Sequence, residues 1–452
     1  MSDSTLISNG TVVTLGDKPR VIEDGAVLIR GNLIERVGYR NELPAEGCAR
    51  LDAGGGIIMP GLINAHNHFY STFACGIALK DDPPSNFKEI LERLWWRLDR
   101  ALTLEDVRYS ALVPMCRGLR AGTTTVFDHH ASPGAVRGSL PTIARAAAEV
   151  GVRTCLCYEL SDRDGPEITQ AGLKENEAFL KANRGAGGAM VSGTFGLHAS
   201  MTVSEQTLGR AAEIGRALHA GFHVHVAESH FDQEDSLGRY GKRVVHRLAD
   251  AGMLGARTLC VHCVHLDESE YKALLDSGTN VVHNPQSNMN NAVGSAAVLR
   301  MLSMGIQVGL GTDAMTANML DELRVAHLLQ KHVTRDPRAG FIEACRMLFE
   351  NNRRIASKFF DKPLGVLEPG HLADVIVVAY DPVTPLRADN LWGHLMFGLP
   401  AAPVRLAVVD GRVRMKDGVI LGVDEEEIAR KSRELAGGLW ERFTGRANRP
   451  GH

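Results

Sequence analysis

Two histidines two residues apart, His66 and His68 in Ala65-His66-Asn67-His68, directly follow the apolar run Gly56-Ile57-Ile58-Met59-Pro60-Gly61-Leu62-Ile63. Side chains alternate faces along a β-strand, so the two imidazoles point the same way and can share one cation. That is half of a metal site, and the rest of the chain must supply the other half. His198, His225 with Glu228 three residues on, His262, and Asp313 in Gly311-Thr312-Asp313 each close or follow another apolar, β-branched run. By chemistry, His66, His68, His225 and Asp313 form a three-nitrogen, one-oxygen set suited to a single Zn²⁺ or Fe²⁺, with a position left for water. A cation held this way lowers the pKa of its water from 15.7 to about 7, so that hydroxide is available at neutral pH. Glu228 is placed to carry a proton from that water to a leaving group. His262 can polarise or orient the reacting atoms, and Asp313 can double as a base. His198 is expected to face the substrate and donate to a ring nitrogen or carbonyl. No lysine stands near these positions to bridge a second ion, so one metal is expected. His223 shares the strand face of His225 and is a rival ligand, but the His-x-x-Glu spacing favours His225 and puts His223 one layer deeper.

These residues need a scaffold that brings distant strand ends to one rim. From about 61 to 368, β-branched runs alternate with helical patterns, which predicts βα units and a parallel sheet. The expected strands are the run before His66, then Thr123–Phe127, Val152–Cys157, Gly193–Leu197, Phe222–Val226, Thr258–Val261, Asn280–His283 and Gln307–Leu310. Eight such strands over about 300 residues fit an α/β (β/α)₈ TIM barrel, whose site lies at the C-terminal ends of its strands. Residues 1–60 and 369–452 read differently, as strand, tight turn, strand: Ala26–Asn32 into Leu33–Gly38, and Leu406–Val409 through Asp410-Gly411 into Arg412–Met415. Neither end has enough strands for a core alone. The expectation is one small β-sandwich built from both termini, carrying a C-terminal helical tail, with 61–368 inserted as the hydrolase barrel.

The remaining candidates are weighed against plainer roles. His129-His130 follow the second strand and are read either as substrate contacts, through His129, or as loop residues. Asn288, near the seventh strand, is taken as a substrate contact, the alternative being a loop cap. Trp95 and Trp96 fall in a long excursion from Phe69 to about Leu102, where Trp96 either lids an aromatic ring or packs as core. Cys260-Val-His-Cys263 has redox-like spacing without a redox context and reads as two small apolar residues. His265, His283, His327 and His332 have no spacing that singles them out.

The chain has 452 residues, 44% hydrophobic and 23% charged, with a formal net charge of −3 and no long basic run. That balance gives no electrostatic footprint for nucleic acid or an anionic membrane, and small uncharged partners are expected. Met1–Thr5 show no basic segment leading into an apolar core, no stretch of about 18 apolar residues occurs, and eight cysteines are too sparse for a disulfide framework. A cytoplasmic protein is expected.

Pro60–His68, His225-Val-Ala-Glu228, His262-Cys263-Val264, Ser287-Asn288 and Gly311-Thr312-Asp313 together resemble the amidohydrolase superfamily, in its cytosine deaminase and chlorohydrolase branch. Gly370–Asp374 and Val409-Asp410-Gly411 resemble that family's sandwich motifs. More narrowly, Leu94–Leu102, Asp128–Pro133 and Asn288-Met289-Asn290-Asn291 are similar to the SsnA-type aminohydrolases. The resemblance implies a mononuclear metal hydrolase, with zinc or iron, releasing ammonia from a purine, pterin, pyrimidine or triazine type of ring, and a homodimer. Asn291 departs from the apolar residue of many relatives and implies a more polar wall. Two rivals stand beside this reading: a cyclic amidase or chlorohydrolase using the same site, and a metal- or ligand-binding accessory protein without turnover.

Overall fold

The computed structural model describes residues 4–44, 46–183 and 190–446. Met1–Asp3, at the start of the segment read for a leader, and the last six residues of the tail lie outside them. The strands in chain order are β1 (Ser4–Val13), β2 (Val21–Arg30), β3 (Leu33–Tyr39), β4 (Ala49–Asp52), β5 (Ile57–Pro60), β6 (Leu62–Asn67), β7 (Thr123–His130), β8 (Arg153–Tyr158) and β9 (Val191–Gly193). They continue with β10 (Phe195–Ala199), β11 (Phe222–Val226), β12 (Leu259–His262), β13 (Asn280–His283), β14 (Val308–Leu310), β15 (Val375–Val378), β16 (Val404–Val409), β17 (Arg412–Lys416) and β18 (Val419–Ile420).

The expected hairpins form, β2 with β3 around Gly31-Asn32 and β16 with β17 around Asp410-Gly411. Both ends of the chain enter one nine-stranded sheet, ordered β18-β17-β16-β15-β5-β1-β2-β3 with β4 beside β1. The join is β5, which runs parallel to β1 and antiparallel to β15. Ile7, Val27, Ile29, Ile58, Val375 and Val408, from both ends, pack in one apolar cluster. Neither end could bury these faces alone.

The middle of the chain is α/β, with all its strands parallel, in two sheets: β6-β7-β8-β9 and β10-β11-β12-β13-β14. Isolated bridges span both seams, Leu160 to Leu197 and Asn67 to Asp313. Among the described residues no helix is long and apolar enough to cross a membrane.

Two expected strands turn out to be divided. The run from Gly56 to Ile63 is not one strand but β5 and β6, in different sheets. At the break Gly61 N–H donates to the Asp374 carbonyl (3.0 Å) in the terminal sheet, while Leu62 N–H donates to Gly122 O (2.8 Å) at the foot of the parallel sheet. A Cβ on Gly61 would fall 2.2 Å from Thr124 Oγ1, so only glycine lets the two layers approach. The fourth strand likewise changes partner at Thr194, with β9 on β8 and β10 on β11. Apolar periodicity carries no record of the first switch, because both halves are buried.

A charge pins the layers together below the site. Arg153, at the start of β8 and fully buried, makes a bidentate pair with Asp374 (2.8 and 2.9 Å) and reaches Asp410 (3.5 Å). Removing one partner of such a pair leaves uncompensated buried charge at a cost of about 3–5 kcal/mol. Arg153→Met is therefore expected to lower the unfolding free energy in urea by that amount, with Arg153→Lys intermediate. An unchanged midpoint would show that the pair does not hold the layers.

Candidate metal centre and active-site pocket

The strand ends bring His66, His68, His225 and Asp313 together, and the hydrogen bonds of each imidazole say where its free nitrogen points. His66 Nδ1 is 2.9 Å from His223 Nε2, leaving His66 Nε2 buried without a partner. His68 Nδ1 sits against the His129 carbonyl (2.6 Å) and Glu159 Oε1 (3.1 Å). His225 Nδ1 meets the carbonyl of His198 (2.8 Å). All three rings are thus held through Nδ1, which frees Nε2 for a cation. His68 Nε2 lies 3.2 Å from His225 Nε2 and 3.3 Å from Asp313 Oδ1. His66, His68 and Asp313 can offer atoms that all lie within 4.8 Å of one another.

The electrostatics fit the same occupant. Burial, reinforced by neighbouring imidazoles, holds His66 and His225 well below the usual histidine range, so both are neutral, the form that coordinates a metal. Burial would lower His68 too, but the Glu159 and Asp313 carboxylates outweigh it and push it up to about 10. Positive charge is wanted at that point, and a divalent cation on this donor set would supply it.

Backbone strain gathers here as well. Ala227, His262, Cys263 and Asp313 adopt φ of 48°, 71°, 54° and 53°, in the left-handed region that non-glycine residues seldom enter. Ala227 is held by its N–H on Asp232 Oδ2 (2.7 Å) and Asp313 by its N–H on the His66 carbonyl (3.0 Å). These turns aim Glu228, His262 and Asp313 inward.

Glu228 lies 3.4 Å from His262 Nε2 and accepts from the Asn291 amide (3.2 Å), so the polar residue expected on that wall touches the Glu228 carboxyl directly. Burial first, then the charge of Asp313, raises Glu228 well above the ordinary carboxylate range, with the Asn291 bond opposing. A buried carboxyl raised in this way is a candidate for proton transfer. His262 Nε2 is 3.6 Å from Asp313 Oδ2. Burial lowers it to about 4.

The pocket above is walled by Tyr70, Phe87, Leu91, Trp95, Trp96 and Met201 on its apolar side, with His198 and Glu228 among its polar groups. The excursion after β6 thus forms a wall. Asn86 caps its helical stretch by accepting from Glu89 N–H (3.0 Å), and the C-terminal helix Glu425–Arg446 ties it down through Trp440 Nε1 on the Phe73 carbonyl (2.8 Å) and Arg442 Nε on that of Ala101 (2.8 Å). The Trp96 ring lies edge-on to His198, centroids 6.2 Å apart.

Two expected substrate contacts lie elsewhere. Asn288 is fully buried behind His262, its amide on His262 Nδ1 (2.9 Å). His129 is fully buried between the carbonyl of His223 (3.0 Å) and Glu159 Oε1 (3.2 Å). Neither lines the pocket. Cys260 and Cys263 are buried thiols, Cys260 pushed up to about 12 by burial, with no redox environment.

Sequence reasoning missed Glu159. It follows β8, lines the pocket and touches His68 and His129, yet sits alone after Cys157-Tyr158 with no motif around it. A carboxylate closing a buried parallel strand was the available signal.

The amidohydrolase family model matches residues 57–414. The chain is 31% identical over 435 residues to the 5'-deoxyadenosine deaminase of Methanosarcina mazei, covering 95% of this chain and 97% of that protein. It is 33% identical over 437 residues to the 5-methylthioadenosine/S-adenosylhomocysteine deaminase of Syntrophomonas wolfei, covering 95% and 98%. Its fold matches an adenosine deaminase from Xanthomonas campestris with bound zinc, at a TM-score of 0.83 and 23% identity, over 96% of this chain and 98% of that one.

The hydrogen bonds separate ligand from support. His225→Ala is expected to abolish zinc binding in equilibrium dialysis, whereas His223→Ala, which frees His66 Nδ1, weakens it by about 10–100-fold. The reverse order would make His223 the ligand.

Proposed function

The chain belongs to the amidohydrolase family, and from that premise we propose that it is a mononuclear metal-dependent aminohydrolase that deaminates a small N-heterocycle. The observation that carries this reading is the convergence of three imidazoles, each engaged at Nδ1, beside Asp313 and under a pocket rimmed by Glu228. His66, His68, His225 and Asp313 would hold a divalent cation, zinc in this reading, which would supply an acidified water for the attack. Glu228 takes a proton from that water as its oxygen adds to the amino-bearing ring carbon, and passes it to the departing nitrogen. The C–N bond breaks and ammonia leaves, with the ring carbonyl as product. His262, held by Asn288 at its far nitrogen, orients the attack, and Asp313 takes the second proton of the water and passes it to the ring nitrogen, so that the product carries C=O beside N–H. Trp96 and His198 line the place where the ring stacks and is read.

On the same reading the two parallel sheets are one (β/α)₈ barrel of residues 61–368, and the nine-stranded sheet, from 1–60 and 369–452, folds over its core as a β-sandwich. The protein is taken to act as a cytoplasmic homodimer.

Glu228→Gln keeps the side chain's size and removes its proton transfer. The zinc-loaded variant is expected to bind one metal per chain while ammonia release across a panel of amino-heterocycles falls by about 100-fold or more. Release at the wild-type rate would remove Glu228 from the reaction, and wild-type product without ammonia would point to a different leaving group.

A further inference from the structure

Glu159 and His198 stand 3.9 Å apart on the pocket wall, too far to bond each other and close enough to contact one substrate group. Glu159 Oε1 faces His68 Nδ1 and His129 Nδ1 (3.1 and 3.2 Å), and Oε2 is the oxygen nearest His198. The proton on His198 can be placed from its neighbours. The Thr202 hydroxyl has the Ala199 carbonyl in reach (3.2 Å), and both of its contacts are satisfied when His198 Nδ1 donates to Thr202 Oγ1 (2.7 Å), the assignment taken for this proposal, which puts a lone pair on Nε2. Two acceptors therefore face the pocket side by side, and among the described residues no lysine or arginine lines it. The nearby Arg163 is paired with Asp99, and its guanidinium lies over Trp96 at 5.3 Å.

We propose that Glu159 Oε2 and His198 Nε2 form a two-acceptor clamp that reads an N–H-rich edge of the substrate, an amino group or guanidine-type edge distinct from the amino group that leaves. The substrate class is then a neutral or cationic ring bearing a second nitrogen donor, without phosphate or carboxylate. The inference rests on the aminohydrolase reading and narrows it. A pocket built to receive hydrogen bonds leaves its acceptors unpaired when the donor is missing, and rejects the analogue for that reason.

The test uses the full-length zinc-loaded protein and ring pairs that differ by one amino group: diaminopurine against adenine, and melamine against its diamino analogue. Affinity is read by calorimetry or competition, independently of turnover, and kcat/KM is read where ammonia appears. The donor-bearing member of each pair is expected to be favoured by about 100-fold. In Glu159→Gln, loaded with excess zinc because it also loses a contact to His68, the preference should fall below about tenfold, chiefly through KM and Kd; His198→Gln provides the same readout if the first variant fails to fold or to hold zinc. Equal affinity within the pairs in the wild-type protein overturns the clamp and leaves the aminohydrolase reading standing. A wild-type protein that binds no zinc and deaminates no ring overturns the reading beneath it.

Discussion

The site depends on what holds the far side of each imidazole. A histidine ring presents one nitrogen to a cation only if the other is fixed, and here three different groups fix it: His223 Nε2 for His66, the His129 carbonyl with Glu159 for His68, and the His198 carbonyl for His225. Two of these anchors are backbone carbonyls on neighbouring strands, so ring orientation is set by strand register. A slip of one residue between β7 and β6, or between β10 and β11, would withdraw a carbonyl and release its ring. The chemistry is therefore a consequence of parallel pairing.

Register in turn is secured from below. One strand, β8, carries Arg153 at its foot, paired with Asp374 of the terminal sheet, and is followed at its head by Glu159 on His68. Six residues of extended chain, roughly 20 Å, separate the structural charge from the functional one. Gly61 acts similarly at β6, where the chain crosses from one sheet to the other five residues before His66. The terminal sheet thus fixes the depth at which the ligand strands enter, and the C-terminal helix fixes the wall carrying Trp96.

Much of this was readable because metal chemistry needs particular residue types at strand ends. His66, His68, His225, Glu228, His262 and Asp313 stand out by type and spacing, and the structure gathers all six around one point. Hairpins are legible through Gly-Asn and Asp-Gly turns. What escaped depends on partners distant in sequence. Asn288 reads as polar and near the site, but only the packed structure turns its amide onto His262 rather than into the pocket. Glu159 has no motif because its neighbours, His68 and His129, lie 91 and 30 residues away. The Thr202 contact of His198 was likewise hidden, since it forms only once the turn after β10 is folded.

X-ray absorption at the zinc edge of the metal-loaded protein addresses the central claim most directly. The account predicts one zinc per chain in a shell of nitrogen and oxygen only, at about 2.0–2.2 Å, with the multiple-scattering signature of three imidazoles. A sulfur scatterer near 2.3 Å, a metal–metal vector, or fewer than three imidazoles would contradict it.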